Sequence, residues 1–352
     1  METHEEVQVI KRSKWRLILT AITFVALAVL IYGVRKDIGG VVENLGKVNT
    51  LALLLIIPIE ALNYDVYTRF YVRLFKILGK DVQYKDMYKL NLELNFVNHI
   101  LPSGGVSGIS YFTVRMRAFG VSGPKATLSQ LIKLLILYIS FQPLLIVGVF
   151  LLALRGHVNN LVMVVASSLI TLLVVGTFGF IYMIESQRRI NSFLTTITKI
   201  INRFLGFFRR NKETINVEGA QAAFGELHDN YQLLKTNWRQ LKIPFVYLLI
   251  ANATEVAAVY VVYIAFGRLV NVGAVILAYA VANFAGLVSV LPAGIGIYEG
   301  LMTGVLVATG IPAGLSIPVT IMYRVINMGI QLIPGYYFYQ RALRGGLDKA
   351  RE

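Results

Sequence analysis

The sequence predicts an all-α polytopic membrane protein. Six crossing helices and two re-entrant broken-helix hairpins form an inverted repeat, with an amphipathic cytosolic helical loop between the halves. Three observations predict this. First, 56% of the 352 residues are hydrophobic and only 15% are charged, with a mean hydropathy of +0.63. A soluble domain carries about 25% charged residues, and so few polar side chains cannot coat a water-exposed body of this size. Second, apolar runs long enough to cross a bilayer recur along the chain. Third, the basic residues behind the net charge of +15 fall on alternate connections. In a soluble protein that charge would suggest nucleic acid; here it is the cationic excess of inner loops, and no nucleic-acid partner is expected. With no cysteine, disulfides, thiolate metal sites and thiol nucleophiles are excluded.

The first crossing is Leu17–Val34, 18 residues preceded by Lys11, Arg12, Lys14 and Arg16. It is longer than the apolar core of a secretory signal and is followed by no small-residue cleavage site. Further crossings are expected at Thr50–Val72, Ala126–Leu154, Asn159–Ile184, Pro244–Phe266 and Leu315–Gln340. Met87–Arg117 and Val272–Thr309 are apolar but interrupted by Pro and Gly, so each reads as a hairpin returning to the side it left. With the N-terminus inside, inner segments hold 26 Lys and Arg and outer segments 5. That split predicts a multi-pass protein of the plasma membrane with both termini cytoplasmic. The whole chain, 1–352, reads as a single transmembrane domain: a first repeat at about 50–154, a cytosolic loop at 185–243 and a second repeat at about 244–340. Within the loop, Ile190 to Phe208 form an amphipathic face suited to the inner interface. Ala220, Phe224, Leu227, Tyr231, Leu234, Trp238 and Leu241 follow an alternating 4,3 spacing, a seam for the bundle or for a second copy of the chain.

A shift of 190 residues places Leu101-Pro102 on Leu291-Pro292, Gly104 on Gly294 and Gly120 on Gly310, with 6 identities in the 21 positions from 101 to 121. Two crossings separate the halves, so they are expected to be inverted with respect to each other. The hairpin tips, Pro102 with Gly104 and Gly105, and Pro292 with Gly294 and Gly296, leave backbone groups without helical partners. In hydrocarbon such backbone persists only where protein or water covers it, which predicts a lined cavity. Free N–H groups at helix starts there suit an anion.

The stretch Val290-Leu-Pro-Ala-Gly-Ile-Gly-Ile-Tyr-Glu299-Gly300, the turn at Gly310 and the run Met322-Tyr323-Arg324 resemble the C-terminal half of a known family. Asn98-His-Ile-Leu-Pro-Ser-Gly-Gly-Val-Ser-Gly108 resembles its first half. The family is the lysylphosphatidylglycerol synthetase transmembrane region, or flippase-like domain family, and the similarity runs from about residue 15 to 343. It implies lipid translocation between leaflets, in some members alongside a cytosolic aminoacyl-transferase domain. The chain stops 12 residues after the last expected span, so lipid aminoacylation is not expected of it.

Ionisable residues within spans are costly and mark cavities or partners. Glu299 and Arg324 are the leading pair, either as a structural salt bridge or with Arg324 taking a lipid phosphate through its planar fork. Lys133 lies one position from the repeat equivalent of Arg324 and offers a second cation. Asn98 stands at the first hairpin, and Arg115 follows it at the expected inner rim, as a headgroup collector or an ordinary anchor. Glu60, Asp65, Glu255 and His99 are candidates for proton coupling or for structural pairing. No zinc-binding, nucleotide-binding or Ser-hydrolase motif appears, so no catalytic residue, metal or cofactor is assigned. The leading expectation is a transporter of an anionic phospholipid, glycolipid or polyprenyl-phosphate carrier, with membrane lipids as partners and a homo-oligomer left open. The alternatives are an integral membrane enzyme acting on a lipid phosphate and a membrane scaffold for a glycosyltransferase.

Overall fold

Among the described residues four helices end at a glycine in the left-handed conformation, Gly79, Gly120, Gly267 and Gly310. In the computed structural model α1 (Thr50–Leu53) and α2 (Ile56–Ile77) make one nearly continuous rod, broken at Leu54–Leu55 two residues before Pro58. Restarting at Ile56 puts the missing Pro58 donor in the first turn, where no intrahelical bond is lost. Next come α3 (Tyr84–Ile100), α4 (Val106–Arg117), α5 (Gly123–Leu154), α6 (Asn160–Ile184) and α7 (Val217–Thr236). A 3-10 turn at Trp238–Leu241 leads into α8 (Lys242–Ala265), followed by α9 (Val272–Val288), α10 (Ile297–Ala308) and α11 (Ala313–Asp348). The structure describes residues 32, 39, 46, 48–100, 106–154, 160–186, 188–189, 217–288 and 294–348, and the described residues form no strand. The first crossing apart from Tyr32, the amphipathic stretch 190–208, and the tip residues Pro102, Gly104, Gly105 and Pro292 lie outside them.

Five described helices are long and apolar enough to cross a membrane: Thr50–Ile77, Gly123–Leu154, Asn160–Gly179, Trp238–Ala265 and Ala313–Arg344. They correspond to the five later crossings expected from sequence, but most run longer. The last is helical through Asp348, some eight residues past the expected end, with Pro318 and Pro334 both accommodated inside it. Along α5 and α6 the outward side chains Ile146, Phe150, Met163, Val164, Val175 and Phe178 are all exposed. Lipid, not water, is the solvent that suits such a surface.

Both interrupted regions consist of two helices. Among the described residues these are α3 with α4, and α9 with α10. The halves also end their helices alike. After α4 the N–H of Gly120 bonds Arg117 and that of Val121 bonds Met116; after α10 Gly310 bonds Val307 and Ile311 bonds Leu306. These are Schellman caps whose left-handed residue, with φ near +69° and +90°, is best filled by glycine.

Packing repeats the correspondence. α3 lies against α11, and in the matching way α9 lies against α5. α2 lies against its counterpart α8, and the two run antiparallel: Asn49 N–H donates to the Ala265 carbonyl at 2.9 Å, while Asn63 Nδ2 donates to the Ala251 carbonyl at 3.2 Å. Close approach needs small residues. A Cβ on Gly335 of α11 would stand 2.8 Å from the Leu92 carbonyl of α3, and one on Gly273 of α9 would strike the Gly148 carbonyl of α5. One apolar cluster gathers Val262, Ile276, Met302, Leu306 and Met322; a second gathers Phe70, Leu74, Phe75, Phe112 and Leu128; a smaller third gathers Phe96, Val97, Ile100, Met328 and Tyr339. The seam residues Tyr231 and Leu234 of α7 are buried in the second cluster, so here the seam faces the bundle.

Candidate functional site

Between the apolar clusters lies a polar cavity of about 250 Å³. Its wall comes from α2, α3, α5, α8, α9, α10 and α11, and includes seven tyrosines and six asparagines. Such a lining is far too polar for a passive core of a membrane bundle, where each buried polar group must be satisfied by another. Helical spacing explains how it arises. Tyr64, Tyr67 and Tyr71 recur on one face of α2, Asn91, Asn95 and Asn98 on one face of α3, and Tyr323, Asn327 and Gln331 on one face of α11.

Arg324 is held from two sides at the cavity wall. Its Nε donates to Glu299 Oε1 at 2.7 Å, its guanidinium lies 4.2 Å from the centre of the Tyr298 ring, and it borders the cavity. Glu299 is fixed in turn at the start of α10, where its Oε2 accepts the Gly296 N–H at 2.6 Å. This is one half of a capping box; glycine has no side chain to supply the other half. Gly294 and Gly296 take φ of +67° and +85°, a left-handed turn open to glycine that aims the N–H of Gly296 at Glu299. The carboxylate also sits where the helix dipole favours negative charge.

Lys133 of α5 lines the same cavity, and among the described residues no carboxylate pairs with it. Glu255 of α8 is part of the wall: Asn63 Nδ2 donates to its Oε1 at 3.3 Å and Tyr323 OH to its Oε2 at 3.0 Å. Asn327 Nδ2 donates to Tyr323 OH at 3.2 Å, and Gln331 Nε2 donates to Asn327 Oδ1 at 3.2 Å and to Glu60 Oε2 at 3.0 Å. Asn95 Nδ2 joins this array through Gln331 Oε1 at 3.0 Å and Tyr64 OH at 2.7 Å. His99 lines the cavity with its Nδ1 2.8 Å from the Asn95 carbonyl.

The structure thus brings Lys133, Arg324, Asn98, His99 and Glu255 to one cavity, with Glu299 and Glu60 immediately behind its wall. It separates two expected residues from them. Asp65 accepts from Arg69 at 2.7 Å and from Tyr84 at 2.6 Å on the exposed flank of α2, because it lies on the other side of the helix from Tyr64 and Tyr67. Arg115 is clamped by both oxygens of Glu93, at 2.8 and 3.1 Å, and Tyr111 OH donates to the same carboxylate at 2.7 Å. That pair ties α4 to α3 and leaves Arg115 outside the cavity. Sequence reasoning did not single out the tyrosine and asparagine faces. Their signal was the recurrence of polar residues every three or four positions in apolar helices. Among the described residues no three His, Asp or Glu side chains gather to hold a metal ion.

Comparison with known proteins gives a consistent answer. A UPF0104 membrane protein of Methanothermobacter thermautotrophicus is 31% identical over 103 residues, which is 29% of this chain and 31% of that protein. The chain therefore spans about a third of that relative. A UPF0104 membrane protein of Pyrococcus horikoshii is 23% identical over 186 residues, 53% of this chain and 55% of the relative. A further match to a UPF0104 membrane protein of M. thermautotrophicus is 21% identical over 347 residues, covering 94% of this chain and 98% of the relative. Residues 17–335 match the family described as lysylphosphatidylglycerol synthase TM region, taking in every helix that builds the cavity, and the chain belongs to that family.

Proposed function

We propose that this protein moves an anionic lipid, a phospholipid or a polyprenyl-phosphate-linked lipid, between the leaflets of the plasma membrane. The observation that carries the reading is the polar cavity inside an apolar bundle, with Lys133 unpaired by any described carboxylate. A phosphate headgroup loses its hydration on entering the bilayer and needs cations and donors to replace it. Lys133 supplies a point charge, Arg324 a second cation at the rim, and the asparagine amides and tyrosine hydroxyls further donors. The acyl or prenyl chains stay outside in lipid, against the exposed apolar flanks.

In this reading α3 with α4 and α9 with α10 are re-entrant hairpins of two inverted halves, and the cavity lies where they meet. Antiparallel α2 and α8 and the matching α3–α11 and α9–α5 contacts support it. The Lys- and Arg-rich connections, with both termini, face the cytoplasm. No covalent chemistry is needed, because the task is to carry a charged group across a barrier.

The test is exchange of fluorescent phosphatidylglycerol in phosphatidylcholine vesicles carrying the purified protein. Expected is exchange well above that of protein-free vesicles, falling about ten- to a hundredfold in Lys133→Met, the worth of one charged hydrogen bond. Exchange equal to protein-free vesicles overturns the reading.

A further inference from the structure

Two carboxylates at this cavity form no ion pair with any described residue. Glu60 is 1% exposed; its Oε2 accepts from Gln331, and its Oε1 has no hydrogen-bond partner. Glu255, on the symmetry-related helix, accepts from Asn63 and Tyr323 and, among the described residues, from no other side chain. Asn63 lies one helical turn from Glu60, and Tyr323, Asn327 and Gln331 form a continuous hydrogen-bonded stripe from one acid to the other. Every donor in the array is neutral.

The charged groups around it are few. Arg324 is answered by Glu299, Lys133 pairs with no described carboxylate, and His99 donates Nδ1–H to a backbone carbonyl. The remaining titratable groups lining the cavity are phenols: Tyr64, Tyr67 and Tyr71 on α2, Tyr138 on α5, and Tyr279, Tyr298 and Tyr323 on α9, α10 and α11. A phenol ordinarily titrates near 10, so these stay neutral at neutral pH. Two ionised carboxylates on packed helices, Glu60 buried and Glu255 only partly exposed at the cavity wall, repel each other and lose part of their hydration. An unpartnered oxygen on a neutral carboxyl group is far less costly than one on an anion. One proton on the pair also balances the cavity: one carboxylate against the Lys133 ammonium, with Arg324 and Glu299 cancelling.

We propose that Glu60 and Glu255 share one exchangeable proton while the cavity is empty and take up a second when an anionic lipid headgroup enters. This inference rests on the transport reading above. A singly charged phosphate adds one negative charge; one proton from water on the open side restores neutrality, and it leaves with the headgroup on the other side. No covalent bond other than O–H is made or broken. Lipid movement is then driven by a pH gradient.

Two measurements on the full chain in detergent test it. Infrared spectra at neutral pH are expected to show the C=O band of a protonated carboxylic acid, weakened or lost in Glu60→Gln and in Glu255→Gln. Absence of that band in the wild type overturns the proposal. Titration calorimetry with water-soluble short-chain phosphatidylglycerol, in two buffers of different ionisation enthalpy, is expected to show about one proton taken up per headgroup. In Glu60→Gln/Glu255→Gln that uptake disappears. The wild type alone decides both points, so a variant that fails to fold does not obscure them. Binding with buffer-independent heat overturns the coupling alone; no binding at all overturns the lipid reading and the coupling together.

Discussion

Arg324 illustrates how a single side chain is placed by several independent constraints. Its bond to Glu299, the ring of Tyr298 beneath it and the Gly296 N–H behind Glu299 all hold one geometry. Glu299→Gln is expected to destabilise the protein by about 2 kcal/mol, the scale of a charge-assisted hydrogen bond, read as a lower thermal midpoint by size-exclusion after heating. Arg324→Gln alone is expected to cost a similar amount, and the double variant less than the sum, since the interaction is lost only once. Strict additivity would show that the pair is not coupled. This pair was legible in the sequence because a Glu in a Gly-x-Gly-x-x-Glu turn and an Arg in an apolar helix are both out of place without a partner. Asp65 was equally out of place, yet its partner Arg69 lies on its own helix, one turn away. Sequence spacing alone did not say which of these acids would face inward.

The helices are placed by small residues at crossings. Gly335→Leu forces α11 away from α3, where even a Cβ would stand 2.8 Å from the Leu92 carbonyl and the Phe96 Cβ. Overpacking of this kind costs about 1–3 kcal/mol. Gly304→Ala in α10 is the contrasting case: nothing lies within 4 Å of the added atom, the site is exposed, and φ is helical. It is expected to stabilise the protein by roughly 0.5–1 kcal/mol by restricting the unfolded chain. Thermal midpoints moving in opposite directions for the two variants check both statements. The Pro and Gly interruptions that divide α3 from α4 and α9 from α10 are readable in sequence, since proline and glycine disfavour helix wherever they occur. That α3 finds α11 as α9 finds α5 came only from the packed structure.

For the molecule as a membrane-embedded body, the decisive property is sidedness. The chain contains no cysteine, so single cysteines report position without background. Lys80→Cys, after α2, and Asn237→Cys, before α8, are expected to react with an impermeant maleimide from one side of sealed membranes. Arg268→Cys, at the far end of the 24-residue α8, is expected to react from the other. Labelling of all three from one side would contradict two antiparallel crossings by α2 and α8. By itself the sequence determined that this chain lives in a bilayer, roughly where its helices run, where they are broken and which connections carry the positive charge. These follow from composition, apolar run length and backbone chemistry, all of which are local. Which polar faces meet was decided only by tertiary structure. Tyr323, Asn327 and Gln331 read as isolated polar residues along one helix until α2, α3 and α8 close around them, because a shared cavity depends on how separate helices are rotated against one another.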